Sequence, residues 1–248
     1  MGRAFEFRKE RKFKRWDKMA KQFTKIGREI AIAVKESGPI PENNPRLRTA
    51  IQNAKGVNMP KDRVEAAIKR ASDKNAAAFE EVLYEGKGPS GVGIVVETAT
   101  DNPTRTVANV RMYFSRNGGE LGKTGSLSYL FDRKGLFKVD KNDFDPEEME
   151  LELIDFGLEE IVEKSKSFWI YTNFEDFGNM QKALEERNIN VLNSELVRIP
   201  NSTVELDEEN TNTVLELIDK LEQDDDVQNV FHNLDLGEED DDEEEASN

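Results

Sequence analysis

Apolar side chains between residues 19 and 34 recur at spacings of three and four: Met19, Phe23, Ile26, Ile30, Ala33 and Val34. That spacing draws one stripe along a helix, and Lys18, Lys21, Lys25 and Arg28 fall on a second stripe nearly opposite. Ser37-Gly38-Pro39 predicts the stop. Two shorter helices follow. Leu47, Ala50, Ile51 and Ala54 carry the first, behind Asn44 as cap and Pro45 in the first turn. Val64, Ala67, Ile68 and Ala71 carry the second, which opens on Pro60. Three amphipathic helices with short connections pack as a bundle. Residues 1–15, with Phe5, Phe7 and Phe13 set among lysines and arginines, read as a basic arm in front of it.

From about Phe79 the period changes. Val82-Leu83-Tyr84 predicts a strand, Gly86 to Gly91 a turn, and the apolar run Val92 to Ala99 a buried strand. Asn102-Pro103 starts a helix through Val107, Val110 and Phe114, which Asn117-Gly118-Gly119 ends. Ser126 to Phe131 reads as a further strand. Residues 135–199 then read β-α-β-β-α-β: strand Leu136–Val139, helix Pro146–Phe156, strands Leu158–Val162 and Phe168–Thr172, a helix around Met180 and Leu184, and strand Val191–Ile199. That order is the ferredoxin-like split motif. A short strand at Val204, a helix on Val214, Leu217, Ile218 and Leu221, and a strand Val227–Phe231 lack partners nearby, so they are expected to complete the sheet begun at Val82. The fold class expected is α+β in three domains. These are an arm and helical bundle over 1–75, a discontinuous α+β domain over 79–133 plus 200–236, and an inserted ferredoxin-like domain over 134–199. Residues 237–248, which hold the unbroken acidic run Glu238–Glu245, read as a disordered tail.

Charge sharpens this organisation. Residues 1–75 hold 20 lysines and arginines against 9 acidic residues, while the rest of the chain holds 15 against 42. Signs segregated in this way suggest a polyanionic partner for the basic end. The candidate nucleic-acid-binding residues are Arg8, Lys9, Arg11, Lys12, Lys14, Arg15, Lys18, Lys21, Lys25 and Arg28 on the arm and first helix. Arg46, Arg48, Lys55, Lys61, Arg63, Lys69 and Arg70 join them on the outer faces of the next two. Lysine and arginine neutralise phosphates irrespective of sequence, and a face built almost wholly of them suits backbones better than base edges. The charge does not distinguish DNA from RNA.

Catalytic chemistry finds little support. The chain has no cysteine, which excludes disulfides, thiolate metal sites and cysteine nucleophiles. Gly86 to Gly91 matches G-x-G-x-x-G, yet a strand follows where a helix N-terminus should meet a pyrophosphate, and Pro89 lacks a backbone donor. It reads as a hairpin turn. Gly118 to Thr124 resembles a phosphate loop, but Asn117 stands at the first required glycine and no helix follows. Gly118, Gly119, Gly122 and Lys123 are instead candidate contacts to a partner's backbone, and a phosphate-loop enzyme is the alternative of a different class. Asp140 to Asp145 starts like a calcium loop, but Asp145 stands where the sharp turn needs glycine and Leu151 where the bidentate glutamate should be. Asp224 to Asp226 reads as a turn, and the single histidine, His232, ends a strand with no serine beside it. No apolar run reaches membrane-spanning length. The expectation is a cytoplasmic, non-enzymatic protein without cofactor, metal, membrane or small-molecule substrate.

Several ordered motifs resemble the YebC/PmpR family. They are Phe23-Thr24-Lys25-Ile26-Gly27-Arg28-Glu29-Ile30, Asn44-Pro45-Arg46-Leu47-Arg48, Asn58-Met59-Pro60-Lys61-Asp62, Tyr84-Glu85-Gly86 with Gly88-Pro89, Thr100-Asp101-Asn102 with Arg105-Thr106-Val107, and Asn117-Gly118-Gly119 through Gly125-Ser126. The resemblance covers nearly the whole chain and implies a helical bundle with two α+β domains, the last inserted. It also implies a regulator of gene expression. Members are described as probable DNA-binding transcriptional regulators, mitochondrial relatives as translational activators, and bacterial relatives have been linked to stalled ribosomes. The implied partner is therefore DNA or ribosomal RNA, with the ribosome as a further candidate. The chain departs from the family at its start, where Gly2-Arg3-Ala4-Phe5-Glu6 replaces the usual Gly-His-Ser-Lys-Trp.

Overall fold

The structure, a computed structural model, describes the backbone of residues 2–143 and 145–236 and the side chains of residues 19–142 and 145–236. The described chain forms two compact units, which divide between Ala78 and Phe79.

The first unit holds α1 (Gly2–Ser37), α2 (Pro45–Gly56) and α3 (Lys61–Ala71). Its first helix corrects the expectation of a separate arm, because residues 2–15 continue into the helix without a break. No glycine or proline stands between Arg3 and Lys25, and the stretch is rich in lysine and arginine, both good helix formers. Helix α1 ends where Gly38 adopts φ +89 and its N–H donates to Val34 O at 2.8 Å. The buried side chain of Asn44 then serves two helices at once. Its Oδ1 accepts from Leu47 N at 2.9 Å, capping α2, while its Nδ2 donates to Ala33 O at 2.7 Å and Gly38 O at 2.9 Å. Orphan amide and carbonyl groups at both helix ends are thereby satisfied by one amide. Ile30, Ala33 and Val34 meet Leu47, Ala50, Ala54, Val64 and Ala71 in the core.

The second unit runs β1 (Glu80–Lys87), β2 (Gly93–Thr100), α4 (Pro103–Arg116), β3 (Glu120–Leu121), β4 (Phe131–Asp140), α5 (Pro146–Leu153), β5 (Leu158–Glu163), β6 (Ser167–Asn173), α6 (Phe177–Glu186), β7 (Val191–Pro200), α7 (Glu208–Glu222) and β8 (Val227–His232). One sheet has the order β3-β1-β2-β8, so the last strand returns to pair with β2, from Ile94↔His232 to Thr98↔Val227. Ile94 and Val96 pack there with Val110 and Phe114 of α4 and with Val214, Leu217 and Leu221 of α7. The other sheet has the order β5-β6-β4-β7 with every pairing antiparallel, which is the ferredoxin-like arrangement expected from the element order. Helices α5 and α6 supply Leu153, Met180, Ala183 and Leu184 to a core with Phe137, Val139, Phe168 and Ile170 of the strands.

Two expected strands differ from what the sequence suggests, and at Val204 only an isolated bridge to Leu234 forms. Ser126 to Leu130 is a series of turns, with Ser126 N donating to Lys123 O at 3.1 Å and Leu130 N to Leu127 O at 2.9 Å. Strand β4 begins only at Phe131. The short β3 takes the edge of the first sheet instead, pairing Leu121 with Gly86 and Glu120 with Lys87. Leu127 is buried against Val95 and Phe131, and its N–H donates to the buried Glu85 carboxylate at 2.6 Å, a long-range tie that no local pattern encodes. The acidic residues 237–248 lie outside the described residues.

Candidate nucleic-acid interface

Arg8, Lys9, Arg11, Lys12, Lys14, Arg15 and Lys18 stand on the backbone of α1, and their side chains lie outside those described. Lys21, Lys25 and Arg28, further along the helix, are half-buried. Arg46 and Arg48 are engaged within the unit. Arg46 donates to Glu29 Oε1 at 2.7 Å and to Glu36 Oε2 at 3.2 Å, so it clamps α2 to α1. Arg48 donates to the carbonyls of Pro41 and Glu42 at 3.0 and 3.2 Å.

Lys55, Lys61, Arg63, Lys69 and Arg70 are exposed. Lys61 lies 3.6 Å from Glu65 one turn on, an exposed pair of the weakest kind. Arg63 sits over the Phe23 ring, 5.7 Å from its centroid. Lys55, Lys69 and Arg70 have no carboxylate partner among the described residues. Lys69 and Arg70 occupy the last turn of α3, where cations favour the helix dipole, and they line an open hollow with Ala66, Asp73, Asn75 and Ala76. Lys35, in the last turn of α1 and not among the expected site residues, reaches across to donate to Asp73 O at 3.0 Å.

The glycine-rich stretch after α4 is a structured edge. Gly118 adopts φ +73, which ends the helix, and a Cβ on Gly119 would lie 2.7 Å from Lys87 O. Gly122 N donates to Glu85 O at 2.8 Å, so the stretch is hung on β1 from both ends. Gly122, Lys123, Thr124, Gly125 and Ser126 remain exposed, and Gly118 with them. No helix opens after either glycine motif. Gly88 N donates to Val92 O at 2.7 Å in the hairpin joining β1 to β2.

Asp226 shows what a local reading missed. It lies in the turn expected of Asp224 to Asp226, yet it is buried and gathers Arg105, Thr100 and Thr106 from the β2–α4 corner. Nearby, Asp224 accepts from Asn109 Nδ2 and Tyr113 Oη, both at 3.1 Å. Burial, and then the charge of Asp224, pushes the Tyr113 phenol above its ordinary pKa, so it remains a neutral donor. Among the described residues no group of histidine and acidic side chains could hold a metal ion, and no helix is long and apolar enough to cross a membrane.

The arrangement has known counterparts. Residues 3–74 match the TACO1/YebC protein N-terminal domain, and residues 79–234 match the TACO1/YebC second and third domain. The chain belongs to the TACO1/YebC family. A TACO1/YebC relative from Cytophaga hutchinsonii, called a probable transcriptional regulatory protein, is 60% identical over 234 residues, covering 94% of this chain and 98% of its own. Another of that description, from Parabacteroides distasonis, is 56% identical over 246 residues, 99% of this chain and 100% of its own. The crystal structure of a conserved hypothetical protein from Aquifex aeolicus superposes with a TM-score of 0.78 at 40% identity, covering 89% of this chain and 91% of that one. The motif Thr100-Asp101-Asn102 with Arg105-Thr106-Val107, one of those that carry the resemblance, forms a single bonded corner. In this chain Thr100, Arg105 and Thr106 all bond to Asp226, and Asp101 accepts from Arg105 at 2.9 Å.

Proposed function

We propose that this TACO1/YebC protein regulates gene expression in the cytoplasm, as a non-enzymatic transcriptional regulator that binds nucleic acid through the cationic surface of its helical unit. The observation that carries the reading is the set Lys55, Lys69 and Arg70, exposed and without a carboxylate partner among the described residues, in a chain whose remainder is strongly acidic. Such a surface supplies counterion release on a phosphate backbone, while the acidic remainder opposes indiscriminate adhesion. Relatives named as probable transcriptional regulatory proteins support DNA as the target. A ribosomal-RNA target is the second reading, favoured by the exposed Gly122–Ser126 stretch with Lys123, whose small residues let a phosphate chain approach closely.

The test is a titration of labelled duplex DNA and ribosomal-RNA fragments at two salt concentrations. The expected log–log slope is about −0.7 to −0.9 per phosphate neutralised. Replacing Lys55, Lys69 and Arg70 together by glutamate should weaken binding and flatten that slope. Unaltered affinity and slope in the triple variant would remove the helical unit from the reading.

A further inference from the structure

The ferredoxin-like sheet has two faces, and α5 and α6 both pack on the one carrying Phe137, Val139, Phe168 and Ile170. The alternate positions of the strands therefore make up the other face. The register aligns two rows across it. Val162, Trp169, Lys138 and Asn193 form one, and Glu160, Tyr171, Leu136 and Glu195 form the next. Trp169 and Tyr171 stand two residues apart on β6, a central strand, and both are half-buried instead of enclosed.

Two lysines attend the indole. Lys138 Nζ lies 4.3 Å from the Trp169 ring centroid and Lys164 Nζ 5.0 Å from it. Neither attraction requires the ring to be shielded from solvent, and Lys138 has no carboxylate partner among the described residues. The Trp169 indole N–H donates to Ser167 Oγ at 3.1 Å, which fixes the ring's orientation. Leu136, 4% exposed, is the buried apolar floor beside Tyr171. An orienting bond, two adjacent aromatic side chains and ammonium groups at one end are more than a solvated sheet face requires.

We infer that this open face is a second nucleic-acid surface, one that binds unpaired bases of a single strand. Successive bases would stack on Trp169 and Tyr171, with Lys138 and Lys164 meeting the phosphates at the Trp169 end. Four-stranded sheets of this topology offer room for two or three splayed bases when aromatic side chains stand on their central strands. Glu160 is the cross-strand neighbour of Tyr171, and Glu195 stands two strands away beyond Leu136, so the carboxylate beside Tyr171 lies where a base's amino group, not a phosphate, would be accepted. This surface is independent of the helical unit, whose charge suits backbones without regard to base.

The experiment uses the full chain carrying Trp16→Phe, which leaves Trp169 as the sole remaining tryptophan of the two. A labelled single-stranded RNA of about a dozen nucleotides, long enough to span the two or three bases such a face binds, is followed by its anisotropy and by Trp169 emission together. Binding should quench Trp169, whereas a duplex of the same sequence should leave it unchanged. Tyr171→Ala should weaken binding about five- to a hundredfold, the range of one lost base stack, while Tyr171→Phe retains it. Adding Lys69→Glu and Arg70→Glu should leave the quenching at saturation intact. Absence of single-strand binding, binding without quenching, equal quenching by the duplex, or quenching abolished by the Lys69 and Arg70 substitutions would each overturn the proposal.

Discussion

Asp226, in the turn before β8, accepts a 2.8 Å hydrogen bond from the guanidinium of Arg105, in the first turn of α4. The same carboxylate oxygen also accepts from Thr106 Oγ1 at 2.7 Å and Thr100 Oγ1 at 3.2 Å. The side chain of Asp226 is 4% exposed and that of Arg105 is 47% exposed, so the acid carries the burial cost and the arginine remains partly in water. The contact ties the turn before β8 to the corner between β2 and α4, which lie on either side of strands β4 to β7 in the chain.

Asp226→Ala should therefore destabilise the second unit by about 2–4 kcal/mol, because two buried hydroxyls lose their acceptor together with the ion pair. Arg105→Ala should cost less, since its guanidinium can be replaced by water. Urea denaturation of both variants checks the order, and equal midpoints for Asp226→Ala and the parent chain would contradict it.

Two glycines should respond in opposite directions. Gly119→Ala places a Cβ 2.7 Å from the backbone oxygen of Lys87 and 3.1 Å from Phe114 Cδ1, and neither neighbour is a freely moving chain end. A loss of about 1–3 kcal/mol is expected. Gly27 lies within α1 with nothing inside 4 Å of an added Cβ. Gly27→Ala should raise stability by about 0.5–1 kcal/mol through helix propensity. Thermal melts of the two variants give both signs at once.

Acid should weaken the second unit in a window set by His232. Burial pushes its pKa below the ordinary 6.5, partly offset by a backbone hydrogen bond at Leu234. The unfolded chain then binds the proton more readily than the folded one. Stability from this group is fully present above about pH 6.5 and is lost as the pH falls below it. His232 is the chain's single histidine, so His232→Leu should flatten the melting-temperature profile just below neutrality. An identical slope in parent and variant would assign that acid sensitivity to other groups.

Lys123→Glu tests the glycine stretch as a contact. Lys123 is exposed, so the change should alter stability by about 0.5 kcal/mol or less. If the stretch touches a nucleic-acid backbone, ribosomal-RNA affinity should fall while the melting temperature stays put. Unchanged affinity would reduce the stretch to the edge strand and turn that its hydrogen bonds to β1 already describe.

Much of the architecture was legible along the chain because it rests on short-range physics. Helical spacing placed α1 to α3, Asn44-Pro45 and Asn102-Pro103 marked two helix starts, and the β-α-β-β-α-β order foretold the ferredoxin-like sheet. The segregation of charge pointed to a polyanion, and the flanks of both glycine motifs argued against nucleotide chemistry. Tertiary structure decided what depends on partners distant in sequence. It set Arg46 against Glu29 and Glu36, made Asp226, within its expected turn, a buried acceptor, and made Glu120-Leu121 an edge strand by supplying β1. It also turned Ser126 to Leu130 into turns anchored by Glu85. Trp169 and Tyr171 show the division most simply. Alternation along β6 puts them on one face, but only the pairing of four strands and the placing of two helices decides which face is covered, because burial is a property of the assembled sheet.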